Sequence, residues 1–172
     1  MALIYKNIKQ QTKNIFPIFL LYFLSITELD ANFDNYFEIF SFNLQLIVIY
    51  YWVLKNPSLL GNGHIFFAGI INDVITGLVL GTSPLIYLIT CLVASYIRNV
   101  TVNKTLLTDW FTFLIAIFFS NLVFFVLLTN FSKLETSYIN LFYNSFFTFL
   151  FFPLFWVIFN FYNTIMRPVG DD

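Results

Sequence analysis

The sequence predicts an all-α membrane protein: a bundle of six transmembrane helices in one integral-membrane domain that covers residues 1–172. Composition is the first reason, because 59% of the residues are hydrophobic and only 10% are charged, whereas a soluble domain is about 25% charged. The mean hydropathy of the chain is +0.82. This composition predicts a lipid bilayer as the surrounding medium. The net charge is −1, so we expect no nucleic-acid partner.

Six apolar stretches provide the second observation. A helix needs about 20 apolar residues to cross the hydrocarbon core, and the expected helices cover approximately 15–29, 36–54, 65–80, 83–100, 110–129 and 138–162. The first and third stretches are short. The first could be the core of a signal peptide, but no small-x-small cleavage site follows it. Pro153 lies inside the sixth stretch and predicts a kink there.

The distribution of Lys and Arg is the third observation, and it predicts the orientation. Six spans with a cytoplasmic N-terminus place only Lys133 outside. The inside segments then hold Lys6, Lys9, Lys13, Lys55, Arg98, Lys104 and Arg167. This asymmetry fits the positive-inside rule, so we expect both termini on the cytoplasmic side of the membrane.

Two further groups of residues lie near the predicted membrane borders. An acidic segment follows the first span and contains Glu28, Asp30, Asp34 and Glu38. It is either a solvated loop or a docking surface for an extracytoplasmic partner. Four aromatic residues, Tyr50, Tyr51, Trp52 and Trp110, are expected to anchor helix ends at the headgroup level, which such rings prefer.

The residues that enzymes use are scarce in this chain. His64 is the only histidine and Cys91 the only cysteine, so a two-histidine metal motif and an internal disulfide are excluded. The chain has no G-x-S-x-G, Walker or C-x-x-C motif. We therefore expect no catalytic residue, no metal and no cofactor, and we expect that the protein is not an enzyme. His64 is expected to be an exposed polar residue of a short inner loop.

Glycine and aspartate recur at a spacing of four in the third apolar stretch, at Gly69, Asp73, Gly77 and Gly81. On a helix, residues four apart lie along one side, and glycine allows two membrane helices to approach closely. We therefore expect these residues, together with Asn72, to form a helix-packing or partner interface. Asn72 and Thr76 flank this face and could share hydrogen bonds with Asp73.

The Asp73 carboxyl group is costly in an apolar segment unless it is protonated, hydrogen-bonded or close to water. Three roles for Asp73 are open. It could be a structural contact within the bundle, a contact with a partner membrane protein, or a group that takes part in transport or proton relay.

Three motifs in this sequence are similar to those of a known family. They are Tyr51-Trp52-Val-Leu-Lys-Asn-Pro57, Gly69-Ile-Ile-Asn-Asp73-Val-Ile-Thr-Gly77 and Leu80-Gly81. With their spacing, the chain length and the six predicted spans, they resemble the MreD family of bacterial rod shape-determining membrane proteins. One departure is Ser41-Phe42, which stands where the family often carries Arg-Pro.

The resemblance implies a non-catalytic scaffold in the bacterial inner membrane. This scaffold would belong to the cell-elongation complex, which carries out lateral peptidoglycan synthesis. The implied partners are an MreC-like protein, the MreB cytoskeleton, and RodA with its partner transpeptidase. Lys55, Arg98 and Lys104 would line the cytoplasmic side.

The resemblance also implies a fold similar to the substrate-binding subunits of energy-coupling-factor transporters. An alternative function is therefore a small-ligand-binding subunit of a vitamin transporter, although acidic outer loops suit an anionic vitamin poorly. An integral-membrane enzyme is a third hypothesis, and the missing catalytic motifs disfavour it.

Overall fold

The computed structural model describes residues 2–27, 42–101, 105–131 and 138–166 of the protein, and these form six α-helices. They are α1 (Ala2–Ile26), α2 (Leu44–Lys55), α3 (Asn62–Thr76), α4 (Thr82–Val100), α5 (Leu106–Phe131) and α6 (Tyr138–Ile165). The prediction of an all-α protein with six helices is confirmed. Within these described ranges, three segments are long and apolar enough to cross a membrane, namely Thr82–Val100, Leu106–Leu127 and Ile139–Ile165.

Several helix boundaries differ from the expected ones, most of all the start of α1, which lies at Ala2 and not at residue 15. Two further differences have a local cause. The second helix begins at Leu44 because Asn43 is its N-cap: the Asn43 carboxamide oxygen accepts the backbone N–H of Leu46 at 3.1 Å. The third helix ends at Thr76 and not at Leu80. Hydropathy alone does not reveal either boundary, because apolar residues continue beyond both.

The short helix α2 lies at the centre of the bundle. Every residue from Leu46 to Leu54 is buried, and α2 packs against α1, α4, α5 and α6. Around it, α1 contacts α3, α3 contacts α4, α4 contacts α5, and α5 contacts α6. The bundle therefore consists of one core helix and an outer layer of five.

This position corrects the prediction that three aromatic residues of α2 are anchors at the headgroup level. Tyr50, Tyr51 and Trp52 are 0%, 1% and 0% exposed, so their rings belong to the core. The Tyr50 hydroxyl donates to Thr112 Oγ1 of α5 at 2.8 Å, and Asn163 of α6 donates to the Tyr51 hydroxyl at 3.1 Å. The consecutive tyrosines therefore connect α2 to two different neighbours.

Hydrogen bonds between side chains also join the outer helices. Thr90 of α4 donates to the carbonyl of Ile86, so Ser120 of α5 is the donor in the 2.8 Å contact between their hydroxyl oxygens. Asn121 of α5 donates to Ser145 Oγ of α6 at 2.7 Å. Such bonds stabilise membrane bundles, where apolar contact between helices replaces equally apolar contact with lipid.

The outer surface of α5 and α6 is apolar. Large exposed side chains on it include Phe111, Phe118, Phe142 and Phe161. A surface this apolar is unusual on a soluble monomer and suits contact with lipid or with other membrane helices. The acidic segment containing Glu28, Asp30, Asp34 and Glu38 lies outside the described residues, as does Lys104.

Candidate functional site

The third helix stops where the chain reaches Gly77. Gly77 has a φ of +68°, and its N–H bonds to the carbonyl oxygen of Asp73. The N–H of Leu78 also bonds to that oxygen, at 3.1 Å. A glycine in the left-handed conformation after the last helical residue is a common way to end a helix, because a side chain there would be strained.

The prediction that all four residues lie on one helical face is therefore wrong for Gly77 and Gly81. Gly69 and Asp73 lie on α3, but Gly77 ends that helix and Gly81 precedes the next one. The spacing of four continues in the sequence after the helix has stopped. The chain turns between Gly77 and Gly81, and this turn brings α4 back against α3.

Asp73 connects the two helices across this turn. Its side chain is 0% exposed. Its Oδ2 accepts the N–H of Gly81 at 2.7 Å, and its Oδ1 accepts the N–H of Ser83 at 2.9 Å. Because both oxygens accept, the pattern is that of an ionised carboxylate.

These bonds make Asp73 the N-terminal cap of α4, although it belongs to α3. Gly81 is the N-cap residue by position, has a φ of +101° and offers no capping side chain. The first N–H groups of a helix lack partners within the helix, and its N-terminus favours negative charge. The Asp73 carboxylate meets both requirements.

Asn72 lies next to Asp73 and makes different contacts. Its Nδ2 donates to Ser83 Oγ at 3.0 Å, and its Oδ1 accepts from Gln45 Nε2 of α2 at 3.3 Å. Thr76 donates to the Asn72 carbonyl at 2.8 Å. The predicted hydrogen bonds from Asn72 and Thr76 to Asp73 do not occur, because successive helical residues point in different directions and Asn72 faces α2.

Gly69 of α3 lies in close contact with Pro84 of α4. A Cβ atom built on Gly69 would lie 2.5 Å from the nitrogen and 2.6 Å from the Cα of Pro84. Both distances are too short for real atoms, so only glycine fits. We refer to Gly69, Asn72, Asp73, Gly81 and Ser83 together as the α3–α4 corner.

A second polar cluster joins α2, α5 and α6. Lys55 Nζ lies 2.6 Å from Asp109 Oδ2, with side chains that are 18% and 2% exposed. Trp156 Nε1 donates to the same Asp109 oxygen at 2.9 Å, and Lys55 Nζ lies 5.3 Å from the centre of the Trp156 ring. The cluster therefore neutralises a buried carboxylate with a cation and a neutral donor.

Sequence reasoning did not single out Asp109, although a signal for it exists. Asp109 is the acidic residue in the first turn of α5. In the six-span arrangement that turn lies on the same side of the membrane as Lys55. An acid placed among inside cations at a membrane border is a candidate for an ion pair.

Of the cations expected to line the cytoplasmic side, Lys55 and Arg98 both contact other helices. Arg98 Nη1 donates to the carbonyl of Val53, near the end of α2, at 3.4 Å. His64 is exposed, as expected, but it lies in the first turn of α3 and not in a loop. Its Nδ1 lies 3.4 Å from the Tyr22 hydroxyl. Within the described ranges, no group of three or more His, Cys, Asp or Glu side chains could hold a metal ion.

Comparison with known proteins connects this architecture to a family. The chain matches no curated protein and no solved structure, so the expected similarity to substrate-binding subunits of energy-coupling-factor transporters is not supported. A family model described as rod shape-determining protein MreD matches residues 9–165. Because this match includes nearly the whole chain, with the α3–α4 corner and the Lys55–Asp109 cluster, the chain belongs to the MreD family of rod shape-determining membrane proteins.

Proposed function

We propose that this inner-membrane protein is a non-catalytic scaffold of the cell-elongation complex, which carries out lateral peptidoglycan synthesis. In this proposal it binds an MreC-like partner through its membrane helices and holds that partner in position. The observation that carries the proposal is the family match over residues 9–165. The wider complex would include the MreB cytoskeleton, and RodA with its partner transpeptidase.

The contacts of the buried acidic residues support a binding role without turnover. The Asp73 oxygens accept backbone N–H groups of α4, and Asp109 Oδ2 contacts Lys55 and Trp156. A general acid or base must reach the proton that it transfers in a bound substrate. Both carboxylates instead face donors of their own chain, so their effect is to hold helices together.

We further propose that the α3–α4 corner and Gly77 serve helix packing and that the partner binds elsewhere. The burial of Asp73 supports this proposal, as does the contact of Gly69 with Pro84. A partner helix could reach neither group without separating α3 from α4. The apolar outer surface of the bundle offers the area for partner contact.

Co-purification tests the scaffold role. A tagged copy of the protein, extracted in mild detergent, should recover an MreC-like membrane protein from cells. Asp73→Leu should lower the amount of folded protein, but it should leave the amount of partner per folded molecule unchanged. Val74→Leu is the matched control, because Val74 is the next residue and is 67% exposed.

Two results would contradict these proposals, and they differ from one another. If the wild-type protein recovers no MreC-like partner, or recovers a pair of ATPases in its place, the scaffold role fails. If Asp73→Leu loses the partner while its abundance and melting temperature stay normal, Asp73 belongs to the partner interface and the packing assignment fails.

A further inference from the structure

The three tryptophans of the chain differ in how their indole N–H groups are satisfied. Trp110 Nε1 donates to the carbonyl of Phe149 at 2.9 Å, and Trp156 Nε1 donates to Asp109 Oδ2 at 2.9 Å. Trp52 is 0% exposed, and its Nε1 has no acceptor among the described residues. Buried donors in proteins are nearly always hydrogen-bonded, so each exception calls for a partner.

A second buried polar atom lacks a partner in the same part of the described structure. This atom is Oδ1 of Asn163, whose Nδ2 donates to the Tyr51 hydroxyl. The two unpaired atoms are complementary, because the Trp52 indole can only donate and the carboxamide oxygen can only accept.

Shared neighbours place the two atoms around one cluster of rings. The Phe159 ring centre lies 4.4 Å from that of Trp52, and Asn163 follows Phe159 by one helical turn on the same side of α6. Tyr51, which bonds to Asn163, has its ring centre 5.0 Å from that of Trp52. Trp52 and Asn163 therefore share neighbours, Tyr51 and Phe159, at the contact between α2 and α6.

We propose that this contact between α2 and α6 encloses one buried water molecule. The water would accept the Trp52 N–H and donate to Asn163 Oδ1, and the Tyr51 hydroxyl offers a third contact. Buried waters typically make about three hydrogen bonds, within a range of two to four, to groups that are otherwise unsatisfied. The site would make the Tyr51-Trp52 pair a hydrated contact between the core helix and α6.

A different arrangement would satisfy Trp52 without water. Its N–H could point at the face of an aromatic ring, and the Phe159 ring is inclined at 60° to the indole. Such N–H to ring contacts are weaker than ordinary hydrogen bonds. They would leave Asn163 Oδ1 unpaired, whereas a water satisfies both atoms.

Nuclear magnetic resonance of the indole groups distinguishes the two arrangements. The full chain, labelled with ¹⁵N-tryptophan in detergent micelles, should give three indole signals, which single Trp→Phe variants assign. We expect a direct cross-relaxation signal between water and the Trp52 indole proton. The sign of this signal distinguishes it from chemical exchange of the proton with water. We expect Asn163→Leu to weaken that transfer and to leave Trp110 and Trp156 unchanged.

Asn163→Asp is the matched control, because it keeps an acceptor oxygen and should keep the transfer. Absence of transfer to Trp52 in the wild type would overturn the proposal, and an upfield ring-current shift of its indole proton would then indicate the contact with the Phe159 ring. Transfer that persists unchanged in Asn163→Leu would also overturn it, because Asn163 would then not be the second partner. Even if Asn163→Leu does not fold, the wild-type measurement tests whether a water molecule contacts the Trp52 indole.

Discussion

At the scale of single residues, the structure gives different roles to residues that look equivalent in the sequence. Gly69, Gly77 and Gly81 share one spacing, but Gly69 allows two helices to touch, whereas Gly77 and Gly81 adopt positive φ angles. Spacing cannot separate these roles, because it carries no information about where a helix ends. The burial and hydrogen bonding expected for Asp73 are present, but its donors come from α4 and not from Asn72 or Thr76.

Replacing Asp73 tests the capping of α4. Asp73→Leu should destabilise the protein by about 3 kcal/mol, since it removes two hydrogen bonds to a charged acceptor, each worth about 1.5–3 kcal/mol. Asp73→Asn should cost less, because its carboxamide keeps one acceptor but turns a donor towards the second N–H group. Thermal unfolding in detergent measures both effects, and equal melting temperatures for Asp73→Leu and wild type would contradict the capping role.

Replacing Gly69 tests the close approach of α3 and α4. Gly69→Ala should destabilise the protein by about 1–3 kcal/mol, the usual cost of adding an atom to a packed core. Gly63→Ala is the control on the same helix, because a Cβ at Gly63 would meet no atom within 4 Å. Unfolding of the two variants in parallel checks the contact. Loss of stability in Gly63→Ala, with none in Gly69→Ala, would show that α3 packs differently.

At the scale of elements, hydropathy predicts which segments are helical but not which helix is central. The helices α2, α5 and α6 are all largely apolar. In a membrane, such a helix can face either lipid or protein. The burial of α2 depends on its neighbours, and for this reason Tyr50, Tyr51 and Trp52 were wrongly expected at the headgroup level. Hydropathy does not predict the start of α2 or the end of α3, because Asn43 and Gly77 set these boundaries through local backbone geometry and hydrogen bonds.

The Lys55–Asp109 pair should couple α2 to α5. Lys55→Met should cost about 3–5 kcal/mol, because it leaves the Asp109 carboxylate buried without its cation. The double variant Lys55→Met with Asp109→Leu should be more stable than Lys55→Met alone, since it leaves no unpaired charge. Unfolding of the single and double variants measures the coupling. Strictly additive losses would mean that the two side chains do not interact.

At the scale of the whole molecule, the charge distribution predicts the orientation of the chain in the membrane, and the family match identifies the family to which the chain belongs. The described structure contains six helices, and the positive-inside distribution predicts that both termini are cytoplasmic. The motifs around Tyr51-Trp52 and Gly69–Gly81 predict the MreD family, and the family match over residues 9–165 confirms this prediction. The packing order of the helices was not predictable, since it depends on contacts such as Gly69 with Pro84 that join separate segments.

Reporter fusions test the orientation of the chain. An enzyme that is active only in the periplasm should be inactive when it is fused after Asp172. The same enzyme inserted after Lys133, in the connection between α5 and α6, should be active. An active fusion after Asp172 would contradict six spans with both termini inside.

The central claim, that the protein helps to determine the shape of the cell, is tested most directly by measuring cell width during depletion. Rod-shaped cells should widen and become round as the protein is lost. Wild type supplied in trans should restore their width, as should the control variant Val74→Leu. If cell width stays constant after the protein can no longer be detected in the membrane, the account is wrong.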